Sequence, residues 1–275
     1  MRVEQLGNGE PELAIVAAIH GDEPGGVEAI ERLLTDGTNV ERPVKLIVAN
    51  EKALEAGERY LDADLNRAFD ENVPEDAHER ELARQLADAV QGCTVLSLHS
   101  TQSSARPFAI SPGLDDATRA IVPQLSVAAL VRTGLDVEGR LFATDATIIE
   151  VETGYQRSVE AAENAYRIAL EFLTATGALP GYTVSTDLSV YDLGEPVEKP
   201  PADEYEVFAE NFTHVDAGET YAAADGEGLT AQEGFYPVLF SAYGYENIFG
   251  YTGSFAGTLQ TTEDGTATLT AEDTR

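Results

Sequence analysis

Three segments of this 275-residue chain end an apolar run on a residue able to bind a metal or move a proton. The run "AIVAAI" at 14–19 delivers His20, and Glu23 follows three positions later. The run "TVLSLH" closes on His99, and "ATIIEVE" at 146–152 carries Glu150 and Glu152. Two histidines and a glutamate, with a fourth position left for water, make a known catalytic zinc set. A further carboxylate nearby would suit general acid–base work.

Such residues must be brought together by the elements that carry them. Apolar β-rich runs at 13–19, 44–50, 94–99, 126–132 and 146–152 alternate with helical spacing in "GVEAIERLL", "ERELARQLADAV" and "SVEAAENAYRIALEFL". That alternation predicts an α/β fold, a mostly parallel sheet flanked by helices. In open sheets of this class ligands bind beyond the carboxyl ends of the strands, where His20, Glu23, His99 and the two glutamates stand. In "GDEPGG" the turn returns Glu23 beside His20, Pro24 fits a first helical turn, and the glycines allow close backbone approach. After "TGALPGYTV" the helical pattern stops and short runs rich in Tyr, Phe, Thr and Gly take over. The chain therefore divides into an α/β domain at 1–182 and a smaller, mainly β domain at 183–275, expected to cover the site.

Composition narrows the partners. Asp and Glu number 49 against 17 Lys and Arg, a formal net charge of −32. Such a surface repels phosphate backbones and anionic membranes, which argues against nucleic acid. The acids are interleaved with apolar residues and read as a solvated shell, suited to a salt-rich cytoplasm where screening relieves repulsion. No signal-peptide pattern opens the chain and no apolar run reaches 18 residues, so a soluble cytoplasmic protein is expected. The lone Cys93 cannot form an internal disulfide. A homo-oligomer through the Tyr-rich region is possible on this reading.

The segment "RYLDADLNRAF" at 59–69 concentrates Arg59, Asn66 and Arg67 among acids. With "HGDEPGG", the strand ending in His99 and "EVETG", it resembles the succinylglutamate desuccinylase and aspartoacylase family of zinc carboxypeptidase-like hydrolases. The resemblance runs from about residue 14 to 252. It implies one zinc per chain, held by His20, Glu23 and His99. It makes Arg59 the residue that polarises the scissile carbonyl, and Asn66 and Arg67 the binders of a substrate carboxylate. Glu152 fits the catalytic E-x-G pattern, with Glu150 its rival on the same strand face. "YPVLFSAYGYE" resembles the segment with a substrate-contacting tyrosine, which selects Tyr245, with Tyr243 as runner-up. An upstream arginine is either Arg140 or Arg132, the former preferred.

The implied activity is cleavage of the amide bond of a small, anionic N-acyl amino acid. Zinc would acidify a water and polarise the carbonyl, Glu152 would move the proton, and Arg59 would face the oxyanion. The alternatives are a zinc carboxypeptidase acting on peptides and a catalytically silent metal-binding protein.

Overall fold

The computed structural model describes residues 1–70, 73–134, 140–261 and 267–270. Five strands line up in parallel or mixed order through its centre: β2 (Leu13–Ala17), β3 (Val44–Val48), β4 (Thr94–Thr101), β6 (Ala129–Arg132) and β7 (Thr147–Tyr155). β2 is flanked in parallel by β3 and β4, and β4 pairs in parallel with β7. The short β5 (Phe108–Ser111) runs antiparallel to β7 and parallel to β6, which makes the sheet mixed. β1 (Arg2–Leu6) closes one edge, antiparallel to β3.

β2 is buried along its whole length because both faces of the sheet are covered. Leu13, Ile15 and Ala17 point into a core shared with Ile30 and Leu33 of α1 (Gly25–Thr35) and Ile168 and Phe172 of α5 (Val159–Ala175). Ala14 and Val16 point the other way, into a core with Leu82, Leu86 and Val90 of α3 (His78–Val90). Period-two strands between two layers of period-3.6 helices give this division directly. Each fully buried Leu, Ile or Phe contributes roughly 2–3 kcal/mol. Gly26 is where α1 meets the sheet: a Cβ there would lie 2.9 Å from the Ala17 and Leu98 Cβ atoms, so any larger residue would lift the helix.

Much of the chain beyond residue 183 adds to this sheet. β8 (Leu188–Glu198) adds in parallel to β6, and β13 (Ile248–Thr261) adds antiparallel to β8. β12 (Tyr236–Val238) and β14 (Ala267–Thr270) pair with β13. Among the described residues eleven strands thus form one sheet. A separate antiparallel sheet of β9 (Tyr205–Val207), β10 (Thr220–Ala224) and β11 (Glu227–Thr230) packs through Tyr221, Phe235, Phe240 and Phe249. Among the described residues no helix is long and apolar enough to cross a membrane.

Candidate metal and catalytic site

β2 ends at Ala17, two residues before the end of its apolar run, because Ala18 takes a left-handed conformation with φ 53°. The chain then turns under α2 (Glu51–Ala56). A Cβ on Gly21 would fall 2.1 Å from the Ala53 carbonyl carbon, so only glycine permits that approach. The turn holds Glu23 against His20, with His20 Nδ1 2.7 Å from Glu23 Oε1. His99 lies within β4, and its Nδ1 is 3.2 Å from Glu23 Oε2. The Ser100 backbone N–H donates to the same oxygen at 3.1 Å. His20, Glu23 and His99 are 4%, 3% and 6% exposed, and one ligand atom from each lies within 4.8 Å of the others.

Register brings up the fourth group. His99 stands opposite Glu152 in the β4–β7 ladder, and Ser97 stands opposite Glu150. Glu152 lies inside β7 and not at its end, and its Oε2 is buried without a hydrogen-bond partner. Glu150 is engaged elsewhere: it accepts a 3.4 Å bond from Asn66 Nδ2 and lies 4.0 Å from His99 Nε2. The two glutamates share a face but differ in their partners.

Arg59 reaches the cluster from the 59–69 loop. Its Nη1 donates to Glu23 Oε1 at 3.2 Å, and its Nη2 lies 3.0 Å from His20 Nε2 and 3.5 Å from Asp64 Oδ2. Asp64, not singled out by sequence, lies 3.1 Å from His20 Nε2 and accepts from the Asn66 backbone N–H at 2.8 Å. The loop is held from below by Glu79, a fully buried residue of α3. It accepts from the backbone N–H groups of Leu61, Asp62 and Ala63 at 2.8–3.1 Å and from Asn50 Nδ2 at 3.0 Å. Asn66 is buried with both ends of its amide used, since its Oδ1 also accepts from the Leu141 N–H at 3.1 Å. Arg67 is exposed and donates to the Asn66 carbonyl at 2.7 Å.

A small cavity of about 110 Å³ opens over these groups. Its wall includes His20, Glu23, Arg59, Glu152 and Tyr245, together with Asp22, Gln102, Gln156 and Ser241, none of which the sequence reading singled out. Arg67 and Arg140 are not in that wall, though the Arg140 charge is felt at the Tyr245 hydroxyl. Arg132 is tied to Asp192 through Nε at 2.7 Å and Nη2 at 2.8 Å. Tyr243 is 63% exposed, its hydroxyl accepting from the Tyr205 N–H at 3.3 Å. His78 opens α3, and His214 pairs with Asp216 at 3.1 Å; neither is in the cavity wall.

The electrostatics follow from burial and charge. Burial alone would lower the His20 pKa, but Glu23 and Asp64 raise it to about 9. His99 is raised against burial by Glu23 and Glu150. Burial works against the Glu23 charge, yet the two histidines hold its carboxyl well below the usual range. Asp64 is likewise held low, by His20, Arg59 and Arg67 against the effect of burial. Glu152 goes the other way: burial first, then the Glu23 charge, raise it to about 7. Burial also pushes the Tyr245 hydroxyl up. The Glu23 and Glu152 carboxyl groups are thus driven in opposite directions by their surroundings.

The donor set fits a metal. Two imidazole Nδ1 atoms and a carboxylate converge, and the unpartnered Glu152 oxygen adjoins them, which is the composition of an open, mononuclear zinc centre. Fold and site together define an α/β protein with a candidate metal centre at the carboxyl ends of its central strands. Residues 9–170 match the model of the succinylglutamate desuccinylase/aspartoacylase catalytic domain. That match covers more than half of the chain, and the chain belongs to this family of hydrolases.

Succinylglutamate desuccinylase of Serratia proteamaculans is 38% identical over 76 residues, which are 26% of this chain and 23% of that protein. Mouse aspartoacylase is 41% identical over 71 residues, 24% of this chain and 23% of its own length. The aligned stretches thus span about a quarter of these curated relatives. Among solved structures, succinylglutamate desuccinylase of Vibrio parahaemolyticus superposes with a TM-score of 0.69 at 20% identity, covering 98% of this chain and 89% of its own. Murine aminoacylase 3 gives 0.72 at 21%, covering 96% and 100%. At these identities the superpositions establish the fold.

Proposed function

We propose that the protein is a zinc-dependent deacylase that hydrolyses the amide bond of a small N-acyl amino acid, with one zinc per chain held by His20, Glu23 and His99. The observation that carries the reading is the Glu152 carboxylate: unpartnered at Oε2, raised to about 7, and level with His99 beside the triad. When bound, the ion supplies Lewis-acid chemistry, acidifying water and polarising a carbonyl. Glu152 takes the proton of the attacking water and delivers it to the leaving nitrogen, a role for which a pKa near neutrality is suited. The Arg59 guanidinium, fixed by Glu23 and Asp64, faces the carbonyl oxygen as negative charge develops there.

Arg67, exposed on the same loop as Arg59, receives the substrate carboxylate, and Asn66 aligns it by fixing the loop through Glu150 and Leu141. Tyr245 contributes its hydroxyl from the cavity wall, where the Arg140 charge is felt. In this reading residues 1–182 are the catalytic part and 183–275 the part that covers it, since Leu239, Ser241 and Tyr245 form one side of the cavity. A cavity of about 110 Å³ favours small substrates over peptide chains. The test is hydrolysis of a panel of N-acyl amino acids and short peptides by the zinc-loaded protein. Activity confined to peptides would transfer the protein to the carboxypeptidase reading, and inactivity on both to that of a silent metal-binding protein.

A further inference from the structure

A second cavity, of about 580 Å³, adjoins the first and shares Gln102 and Ser241 with it. Its walls come from the end of β7, the loop between β4 and β5, and the segment after β9. Two aromatic side chains stand in that wall with unusual exposure, Tyr155 at 49% and Phe208 at 54%. Among the described residues neither ring packs on another aromatic ring, unlike Phe240 of the same wall, which packs on Tyr221, Phe235 and Phe249. Exposed apolar groups collected in a concavity mark a binding surface more than scattered ones do.

The walls are pre-formed. The Phe208 and Ala209 N–H groups both donate to the Tyr221 carbonyl, at 2.9 and 3.1 Å, which sets the Phe208 backbone. Asn211 bolts this segment to the rest, donating to the Ser103 carbonyl at 2.8 Å and accepting from the Phe240 N–H at 3.0 Å. On the other side Tyr155 pairs with Thr101, and the Gln156 N–H donates to the Thr101 carbonyl at 2.9 Å. The charged side chains in the wall are one of each sign, Arg106 and Glu210, both on the exposed rim. That balance offers no net attraction to an anion.

We infer that this cavity is the acyl subsite of the enzyme and that it takes an uncharged acyl group larger than acetyl, aromatic or aliphatic, laid between Tyr155 and Phe208. The inference rests on the deacylase reading: the 59–69 loop, which brings Arg59 into the wall of the metal cavity, is the side assigned to the carboxylate-bearing half of the substrate, and the second cavity has no residue of that loop in its wall, so the half that passes Gln102 and Ser241 is the acyl half. The acid released on hydrolysis would therefore be apolar, and its removal from water onto two rings is the source of affinity.

The test is calorimetric titration of the zinc-loaded protein with phenylacetate, acetate and succinate, the acids that such substrates would release. Phenylacetate is expected to bind about tenfold or more tightly than acetate. Phe208→Ala should bring phenylacetate to the level of acetate and leave acetate unchanged, while Phe208→Leu should restore part of the gap. Phe208 is exposed, so these variants should keep the fold. Equal affinities for phenylacetate and acetate, indifference to Phe208→Ala, or tightest binding of succinate lost on Arg106→Ala would each overturn the inference. Phe208-dependent binding of phenylacetate by a protein that hydrolyses no N-acyl amino acid would refute the deacylase reading alone. Equal hydrolysis of N-acetyl and N-phenylacetyl substrates would refute only the subsite.

Discussion

Glu152→Gln should lower activity and raise stability together, and the size of the second effect follows from the site. In protein stripped of metal the Glu152 carboxyl stands raised from 4.5 to about 7, chiefly by burial and then by the Glu23 charge. A raised pKa in the folded state means that folding favours the protonated acid. The stability it confers is present below the unfolded value and is lost as pH rises through the folded one. At 1.36 kcal/mol per pH unit the loss is at most about 3 kcal/mol, complete somewhat above pH 7. Glutamine keeps the shape and never ionises, so the variant escapes that loss. Urea unfolding of the metal-free proteins at about pH 5 and pH 8 should show similar stabilities at the lower pH, with the variant ahead by up to ~3 kcal/mol at the higher. With zinc, turnover should fall by about 10²–10⁴-fold, the range for loss of a general base. A dication a few ångströms away favours the carboxylate, so the rising limb of the wild-type pH–rate profile should lie below 7. A variant less stable than wild type at pH 8, or within tenfold of its turnover, refutes this account. So does a larger loss of turnover from Glu150→Gln.

Other expectations follow from the same geometry. His20→Ala and His99→Ala should each weaken zinc binding by at least about tenfold in competition with a chelator, whereas chelation of the wild type should abolish activity and leave its far-ultraviolet circular dichroism unchanged, because neither main core includes the triad. Arg67→Lys should raise KM more than it lowers kcat, since a carboxylate is bound alike in ground and transition states, and a C-terminally amidated substrate should be poor with the wild type; equal kcat/KM for acid and amide would assign the arginine to loop structure. With a net charge of −32, the urea midpoint should rise between low and molar potassium chloride, and a midpoint indifferent to salt would end the case for adaptation to a salt-rich interior.

The parts of the site legible in the sequence are those carried by strong local patterns. Apolar runs marked β2, β4 and β7, and the residues just past or late in them fell at the carboxyl ends because a parallel sheet puts them there. Alternation told that Glu150 and Glu152 share a face, but not which one meets His99; that took the β4–β7 register, a long-range property. β5 was missed because four residues, "FAIS", carry too little periodicity to stand out, and its antiparallel pairing with β7 has no local signature. The Tyr-rich region was legible as β structure, yet nothing local tells that β8 joins β6 and extends the central sheet. Gln102 and Gln156 carry no pattern at all, and only the fold puts them in the cavity wall.

Glu79 shows most plainly where sequence reading stops. It lies in the first turn of α3, amid Glu75, Asp76 and Glu81, and reads as one more acid on a solvated helix. In the structure it is fully buried and collects three consecutive backbone N–H groups of the 59–69 loop. Those donors lower its pKa against burial, so the carboxylate stays charged where an isolated one would not. In return Asp62 of the loop caps α3, accepting from the His78 N–H at 2.8 Å. The loop that presents Arg59 and Asp64 to His20 is thus held by α3. Arg59 needs that support: it sits among Glu23, His20 and Asp64 at 3.0–3.5 Å, distances that a freely moving loop would not keep. A guanidinium aimed at developing charge stabilises it only if it need not reorganise when the charge appears. The buried acid on α3 supplies that rigidity, and its importance lies in the three amides it binds and not in its own position in the sequence.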